Sequence, residues 1–218
     1  MKLFQNSLKA LLATLIFTLP LTAAPKKITK HKAADYDFRP GDILFQATGG
    51  EQCRAIRSAT HSPYSHCGVV VETDEKLFVF EAVSPVRITP LPIFRNRSLP
   101  GTFIALRLKT ADTTLTPEAF VKADQWTQKQ LGKNYDIKFL WDDKELYCSE
   151  LVWKLYHTAT GIKLSQPRRY DSYDLSSDLV KKLIIQRFGS MENFPAAELV
   201  VPPSDLAKSP LLEPVPKR

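Results

Sequence analysis

The most constraining feature of this chain is the segment that begins at Cys148. Apolar residues follow this cysteine at spacings of three, four, seven and eleven positions: Leu151, Val152, Leu155 and Ala159. Such spacings predict an amphipathic helix whose apolar stripe packs against a core. Gly161 stands where the helix is expected to end, because glycine readily adopts the left-handed conformation of a C-terminal cap. The fold is therefore expected to include a helix that starts at a cysteine.

A thiol at a helix N-terminus is suited to nucleophilic chemistry. The positive end of the helix dipole, together with a neighbouring imidazolium, can lower a cysteine pKa to between about 3.5 and 7.5. The free backbone N–H groups at the same place can stabilise a developing oxyanion. The alternative is a half-buried structural cysteine at a helix start, and the helix pattern alone favours neither interpretation.

The first 24 residues have the pattern of a secretory signal peptide. Lys2 and Lys9 form a basic start, residues 10–21 are almost wholly apolar, and small residues follow at 22–24. The apolar stretch is short for a membrane span, although an uncleaved N-terminal anchor is the alternative. We therefore expect an exported protein of the periplasm or cell envelope.

Residues 25–37 are predicted to form a polar linker, and residues 38–218 one domain that ends in a proline-rich tail. Without the two lysines of residues 1–24, 28 basic residues against 23 acidic ones leave a net charge of +5. This mild charge suits an anionic envelope surface and, with export, argues against a nucleic-acid partner. The oligomeric state is left open.

The remaining segments predict an α+β fold with helices flanking a mainly antiparallel sheet. Short strands are expected at 43–45, 66–72, 77–83, 86–89 and 103–108, with a proline-rich loop between the last two. Helices are expected at about 51–59, 117–131 and 175–188, in addition to the one at Cys148. From residue 195 onward we expect a proline-rich tail that packs in extended form and then frays.

The hairpin of the second and third strands places a histidine near a glutamate. If Asp74 and Glu75 form a two-residue loop, opposed residues share one face of the sheet: Val70 with Val79, Gly68 with Glu81, and His66 with Val83. Glu81 is then a diagonal neighbour of His66, and Gly68 leaves room for the carboxylate. A three-residue loop would shift the register and separate the two groups. The two-residue loop predicts that Glu81 can orient the imidazole.

The three cysteines and four histidines raise two further possibilities. At most one disulfide can form within the chain, and a Cys53–Cys67 bridge is possible, which would leave Cys148 free. A metal site including His61 and His66 is disfavoured, because the spacing matches no standard zinc pattern. We predict neither a metal site nor a cofactor.

Several motifs together resemble the permuted papain-like amidases, the YaeF/YiiX group of bacterial NlpC-type cysteine hydrolases. The resemblance extends over nearly all of the chain after the predicted signal peptide. It is carried by Pro40-Gly41-Asp42-Ile43-Leu44-Phe45, Ala59 to Gly68, Phe80-Glu81-Ala82, Leu131 to Asp136, and Tyr147 to Val152. Asn134 and Cys67 depart from the pattern, which has a proline and a small polar residue at these positions.

The resemblance implies a circularly permuted papain-like fold and a set of roles. Cys148 would be the nucleophile, His66 the base and Glu81 the residue that orients it, in the chain order His66, Glu81, Cys148. Tyr135 would lie beside the thiol and assist substrate or oxyanion binding.

The expected function is an exported cysteine hydrolase that cleaves an amide of cell-wall (peptidoglycan) peptides or lipid-linked substrates through an acyl-thioenzyme. Three alternatives remain open. They are a lipid acyltransferase or thioesterase that uses the same Cys-His pair, a non-catalytic envelope binding module, and a zinc-binding module.

Overall fold

The computed structural model describes residues 36–217. The strands of the described chain are β1 (Ile43–Gln46), β2 (His66–Thr73), β3 (Lys76–Glu81), β4 (Arg87–Pro90), β5 (Ile104–Leu108), β6 (Arg168–Arg169), β7 (Leu199–Val200) and β8 (Leu212–Pro214). Six of them form an antiparallel sheet in the order β4-β3-β2-β1-β5-β8. The short strands β6 and β7 pair with each other apart from the main sheet.

Helices flank this sheet, which confirms the predicted α+β class. They are α1 (Glu51–Thr60), α2 (Leu91–Asn96), α3 (Ala111–Thr114), α4 (Pro117–Gln130), α5 (Cys148–Thr160), α6 (Asp178–Phe188) and α7 (Pro203–Ala207). Helix α5 packs on β2 and β3, α4 packs on α5, and α6 packs on α1. The helix with Cys148 at its start is therefore held directly against the centre of the sheet.

Helix α5 has the buried stripe that its sequence predicts. Leu151, Val152, Leu155 and Ala159 are all buried. Gly161 caps the C-terminus with a φ of 77°, in the left-handed region. Because this stripe is inserted into the main core, the first turn of α5 has a defined position relative to β2.

The β2–β3 hairpin has the predicted two-residue turn and register. Asp74 and Glu75 take φ values of 51° and 58°, which a tight hairpin loop requires at both central residues. Val70 pairs with Val79, as the two-residue loop predicts. Alternate residues of the sheet enter separate cores, with Val69 and Phe80 in the core that contains α5, and Val70 and Val79 in the opposite one.

Two expectations about irregular segments are wrong. The proline-rich segment between β4 and β5 contains helix α2, which buries Phe94 between the sheet and Arg97. The tail after residue 195 does not fray within the described chain, because it forms α7 and then β8, which pairs with β5 at the sheet edge. Apolar residues of the tail, such as Leu206 and Leu212, are buried in the main core.

The start of the described chain pairs with its end. Tyr36 forms a bridge with Lys217, and the N–H of Asp37 donates to the carbonyl of Pro216 at 2.9 Å. The predicted signal peptide and most of the predicted linker lie outside the described residues. None of the helices within residues 36–217 combines the length and apolarity that a membrane crossing requires.

Candidate active site

Cys148 is the first residue of α5, and its side chain is nearly inaccessible, with 2% exposure. The pKa of the Cys148 thiol is lowered well below its usual value, mainly by a hydrogen bond from Cys67. Burial raises the pKa, but a hydrogen bond from His66 and the charge of His66 lower it further. Those contacts, rather than the helix terminus alone, favour the thiolate. The predicted position at a helix start is confirmed.

His66 is the first residue of β2, and it contacts both Cys148 and Glu81. Its Nε2 lies 2.6 Å from Oε2 of Glu81, which leaves Nδ1 for the thiol. Burial lowers the pKa of His66, but the hydrogen bonds to Cys148 and Glu81 outweigh it and raise the pKa to about 9. The lowered pKa of Cys148 and the raised pKa of His66 both favour a thiolate–imidazolium pair, which is the reactive form of a cysteine nucleophile.

Glu81 is fully buried and has hydrogen-bond donors on both carboxylate oxygens. Besides His66, Thr89 donates at 2.6 Å and Arg97 donates at 2.6 and 2.7 Å. Burial raises the pKa of Glu81, yet the bonds from His66, Arg97 and Thr89 prevail and lower it to about 2. The carboxylate stays charged because every donor compensates for its lost hydration.

Gly68 provides the space that this arrangement needs. A Cβ atom at this position would lie 2.5 Å from Cγ1 of Val79, 2.9 Å from the carbonyl oxygen of Phe80 and 3.3 Å from Cβ of Glu81. The predicted role of this glycine in making room beside Glu81 agrees with these distances.

Tyr135 is held beside the start of α5 by backbone pairing. Tyr135 bridges Leu146, and the N–H of Leu146 donates to the carbonyl of Asn134 at 3.3 Å. Its hydroxyl contacts Cys148, and burial with the neighbouring thiolate raises the pKa of Tyr135 well above its usual value. The phenol is therefore a neutral donor next to the sulfur, where the resemblance places it.

Two polar side chains that the sequence analysis did not identify support Tyr135. The Gln52 amide on α1 donates to the Tyr135 hydroxyl at 3.1 Å, and its oxygen accepts from Arg187 on α6 at 2.6 Å. The Tyr135 hydroxyl accepts from Gln52, so its own proton points elsewhere and can serve the sulfur or an oxyanion. The sequence signal for Gln52 is its position in the first turn of a helix that follows Gly49-Gly50.

Two cavities meet at Gln52 and Tyr135. The first has a volume of about 310 Å³ and is lined by His66, Arg97 and Ser65 among others. The second has a volume of about 110 Å³, and Cys148 and Ser149 form part of its wall. Most of its surface is contributed by apolar side chains of α1 and α6 and by Phe139, Phe188 and Phe194. The two cavities therefore flank the pair, because one is lined by Cys148 and the other by His66.

All three cysteines are free, so the possible Cys53–Cys67 disulfide is not formed. Cys53 Sγ lies 2.7 Å from Oγ of Ser65, whereas Cys67 contacts Cys148 and lies in the main core. His61 pairs with Asp174 at 3.1 Å. Within residues 36–217, no three His, Cys, Asp or Glu side chains come together in a group that could hold a metal ion.

The fold and the cleft, in which a helix-start thiol contacts a strand histidine that precedes it in the chain, define a papain-like cysteine hydrolase of permuted order. The chain belongs to the permuted papain-like amidase enzyme family, YaeF/YiiX, C92, which it matches over residues 37–215. This is a family of cysteine amidases and peptidases, and the predicted membership, fold and enzyme class are confirmed.

Two relatives agree with this assignment. The uncharacterized protein YiiX of Escherichia coli strain K12 is 38% identical over 177 residues, which are 81% of this chain and 85% of that protein. A crystal structure of yiiX from Escherichia coli O157:H7 has a TM-score of 0.75 at 38% identity and covers 83% of this chain and 97% of its own. That protein is described as a metalloprotein. The described residues of this chain do not fit a metal ion, because they contain no group of three or more His, Cys, Asp or Glu side chains that could hold one.

Proposed function

We propose that this protein is an exported cysteine hydrolase that cleaves an amide bond through an acyl-thioenzyme. The observation that carries the proposal is the continuous contact from Glu81 to His66 to Cys148, with Cys148 in the wall of one cavity and His66 in the wall of the other. Nucleophile, base and orienting carboxylate are the groups that this chemistry requires. The substrates we propose are cell-wall peptides or lipid-linked amides.

The first step is attack by the Cys148 thiolate on the amide carbonyl carbon. A sulfur–carbon bond forms, and the carbonyl π electrons move to the oxygen. The backbone N–H groups at the start of α5 and the Tyr135 hydroxyl are the donors available to that oxyanion. Tyr135 suits this role because Gln52 already occupies its acceptor side.

His66 transfers the protons that the later steps require. The imidazolium gives its proton to the leaving nitrogen as the carbon–nitrogen bond breaks, and an amine departs. The neutral imidazole then takes a proton from water, whose oxygen attacks the thioester carbonyl and releases the carboxylic acid and the thiolate. Glu81 keeps the ring oriented throughout and stabilises its charged form.

The apolar cavity also favours a second candidate, transfer of a lipid acyl group to an acceptor other than water. Its wall includes Cys148 and several aromatic and aliphatic side chains. Such a wall suits an acyl chain as well as an apolar amino-acid side chain. The difference between the two candidates lies in whether water or another nucleophile resolves the thioester.

The test is to incubate the purified protein with bacterial envelope extract and identify the adduct on Cys148 by mass spectrometry. We expect an acyl adduct of defined mass on the wild type and none on Cys148→Ala. Adding a soluble amine or alcohol acceptor separates the candidates, because transfer yields acylated acceptor faster than free acid. Absence of any Cys148-dependent adduct or product would count against the proposed function.

Export and envelope location rest on residues 1–24 and on the mild positive charge of the remainder. N-terminal sequencing of the protein recovered from a periplasmic fraction tests them. Recovery of full-length protein from the cytoplasm alone would contradict export. Contact with anionic envelope material is a further part of the proposal, and salt-dependent pelleting with anionic vesicles measures it.

A further inference from the structure

Arg187 is a half-buried cation at the edge of the apolar cavity, and the part of the chain that the structure describes gives it no anionic partner. One of its terminal nitrogens donates to Gln52, and its guanidinium lies 5.0 Å from the centre of the Phe139 ring. Within residues 36–217, Arg187 forms no ion pair with a carboxylate. The other half-buried arginine near the cleft, Arg97, is paired with Glu81. A guanidinium partly withdrawn from water is more stable with a counter-ion, so Arg187 is suited to bind an anionic group of a ligand.

Apart from the Cys148 thiolate, which is paired with His66, the charged groups that line the cavity are basic. Arg187 and Lys138 both line it, and no described acidic residue does. The carboxylate that acts on Arg187 most directly is that of Asp136. Asp136 already accepts backbone N–H groups of Lys138 and Leu140 at 2.7 and 2.6 Å. The cavity wall therefore presents positive charge beside an apolar surface.

An unpaired hydroxyl provides a second observation at the same cavity. Ser149 is fully buried and lines the cavity directly after Cys148, and its Oγ has no hydrogen-bond partner among residues 36–217. Buried polar atoms are generally satisfied, so an exception beside the nucleophile points to a group that arrives with the substrate. Both Ser149 and Arg187 thus lack partners that one polar, anionic substrate could supply.

We infer that the substrate of Cys148 carries a carboxylate close to the scissile amide, and that Arg187 binds this carboxylate while the attached apolar group enters the cavity. The inference rests on the proposed function and adds to it the substrate class, an amide of an amino acid or peptide with a free carboxylate. The planar guanidinium matches a carboxylate, and a single positive charge balances its single negative one. The cavity volume of about 110 Å³ is similar to that of cavities that bind benzene, about 150 Å³. A cavity of this volume can hold one apolar side chain.

The probes for this inference are N-chloroacetyl-norleucine and its uncharged amide analogue, N-chloroacetyl-norleucinamide. In both, the Cys148 thiolate attacks the chloromethyl carbon, a sulfur–carbon bond forms, and chloride leaves. The two differ only in the carboxylate. The measurement is the second-order rate of Cys148 alkylation at neutral pH, followed by mass spectrometry, and the decisive quantity is the acid-to-amide rate ratio.

We expect the wild type to prefer the acid by about tenfold, the scale of one charge-assisted hydrogen bond. Arg187→Gln should bring the ratio close to one, and Arg187→Lys should retain part of the preference. Lys181→Gln removes a charge from the exposed face of the same helix and should leave the wild-type ratio. The His66 imidazolium also attracts the acid probe. Because the wild type and all of these variants keep His66, its effect on the acid-to-amide rate ratio is the same in each and cancels in the comparison.

The outcomes separate the inference from the proposed function. If Arg187→Gln slows both probes equally, Arg187 only positions Gln52 and the inference is overturned. Equal rates of the two probes with the wild type also overturn it, while rapid alkylation leaves the proposed function standing. If Cys148 of the wild type reacts with either probe no faster than a free thiol of ordinary pKa, the proposed function itself is contradicted.

Discussion

The carboxylate of Glu81 lies 2.6 Å from Nε2 of His66, at a point in the sheet where Glu81 is wholly removed from water. The two residues are 15 positions apart and meet because the β2–β3 hairpin turns at Asp74 and Glu75. A buried charge pair of this kind contributes to folding only while both partners stay ionised. The same contact therefore links catalysis with stability.

Glu81→Gln should lower turnover and slow the alkylation of Cys148. The amide cannot stabilise the imidazolium as the carboxylate does, so the thiolate population falls. The measurement is the iodoacetamide labelling rate at pH 7, and we expect a loss of about tenfold or more. Glu72→Gln, at an exposed position of β2, is the matched control. Labelling of Glu81→Gln at the wild-type rate would reduce Glu81 to a structural residue.

Stability should depend on Glu81 in acid. Its pKa in the folded state, about 2, is below the unfolded value of 4.5, so its contribution is present above about pH 4.5 and lost as the pH falls towards 2. A shift of this size corresponds to about 3 kcal/mol. Urea unfolding between pH 6 and 3 should show this loss in the wild type and a smaller one in Glu81→Gln. Parallel curves for the two proteins would contradict the assignment.

The reactivity of Cys148 should depend on His66 across the pH range. The pKa of His66 is raised to about 9, so the imidazolium is present below that value and disappears as the pH rises through it. Hydrolysis should therefore decline above about pH 9, while alkylation extends to pH values at which an ordinary thiol is protonated. His66→Ala should abolish the low-pH alkylation. His61→Ala, an exposed histidine paired with Asp174, should not change it.

Tyr135→Phe should affect the chemical step more than the thiol itself. The variant keeps the ring and removes the hydroxyl that contacts Cys148 and accepts from Gln52. We expect kcat to fall by roughly 100-fold, the usual effect of losing one oxyanion donor, with a small change in iodoacetamide labelling. A fall in labelling equal to the fall in kcat would assign Tyr135 to thiol activation instead.

Gly68→Ala should destabilise the hairpin. A Cβ atom there would lie 2.5 Å from Cγ1 of Val79 and 2.9 Å from the backbone oxygen of Phe80, which cannot move independently of the strand. We expect a loss of about 1–3 kcal/mol in the free energy of unfolding, the range for overpacked sites. Gly49→Ala is the control, because no atom lies within 4 Å of a Cβ at that position. Equal stability of the two variants would contradict the steric argument.

The parts of the site that local patterns specify were predictable. The α5 stripe, the C-terminal Gly161 and the two-residue turn at Asp74 and Glu75 each depend on residues within a few positions of one another. The hairpin register then follows from the turn, and the register brings Glu81 towards His66. Tyr135 was placed beside the thiol only through the family resemblance, since no local pattern connects it with Cys148.

The structure of the tail and of the segment before β5 does not follow from local patterns. Proline-rich stretches favour loops by local propensity, yet Phe94 and Leu206 are buried in the two cores on either side of the sheet. Burying such side chains stabilises short helices that would not form alone. Pairing of β8 with β5 likewise depends on an open sheet edge that exists only after β5 has joined β1.

From the order of its residues, the chain specifies the helix that begins at Cys148, the hairpin that carries His66 and Glu81, and the class of chemistry these side chains suit. The partners that tune the site come from distant positions. Arg97 neutralises Glu81, whereas Gln52 connects Tyr135 to Arg187 over separations of 83 and 135 residues. Periodicity and turn propensity act over a few residues, whereas these contacts arise only when packed helices and strands bring remote side chains within hydrogen-bond distance.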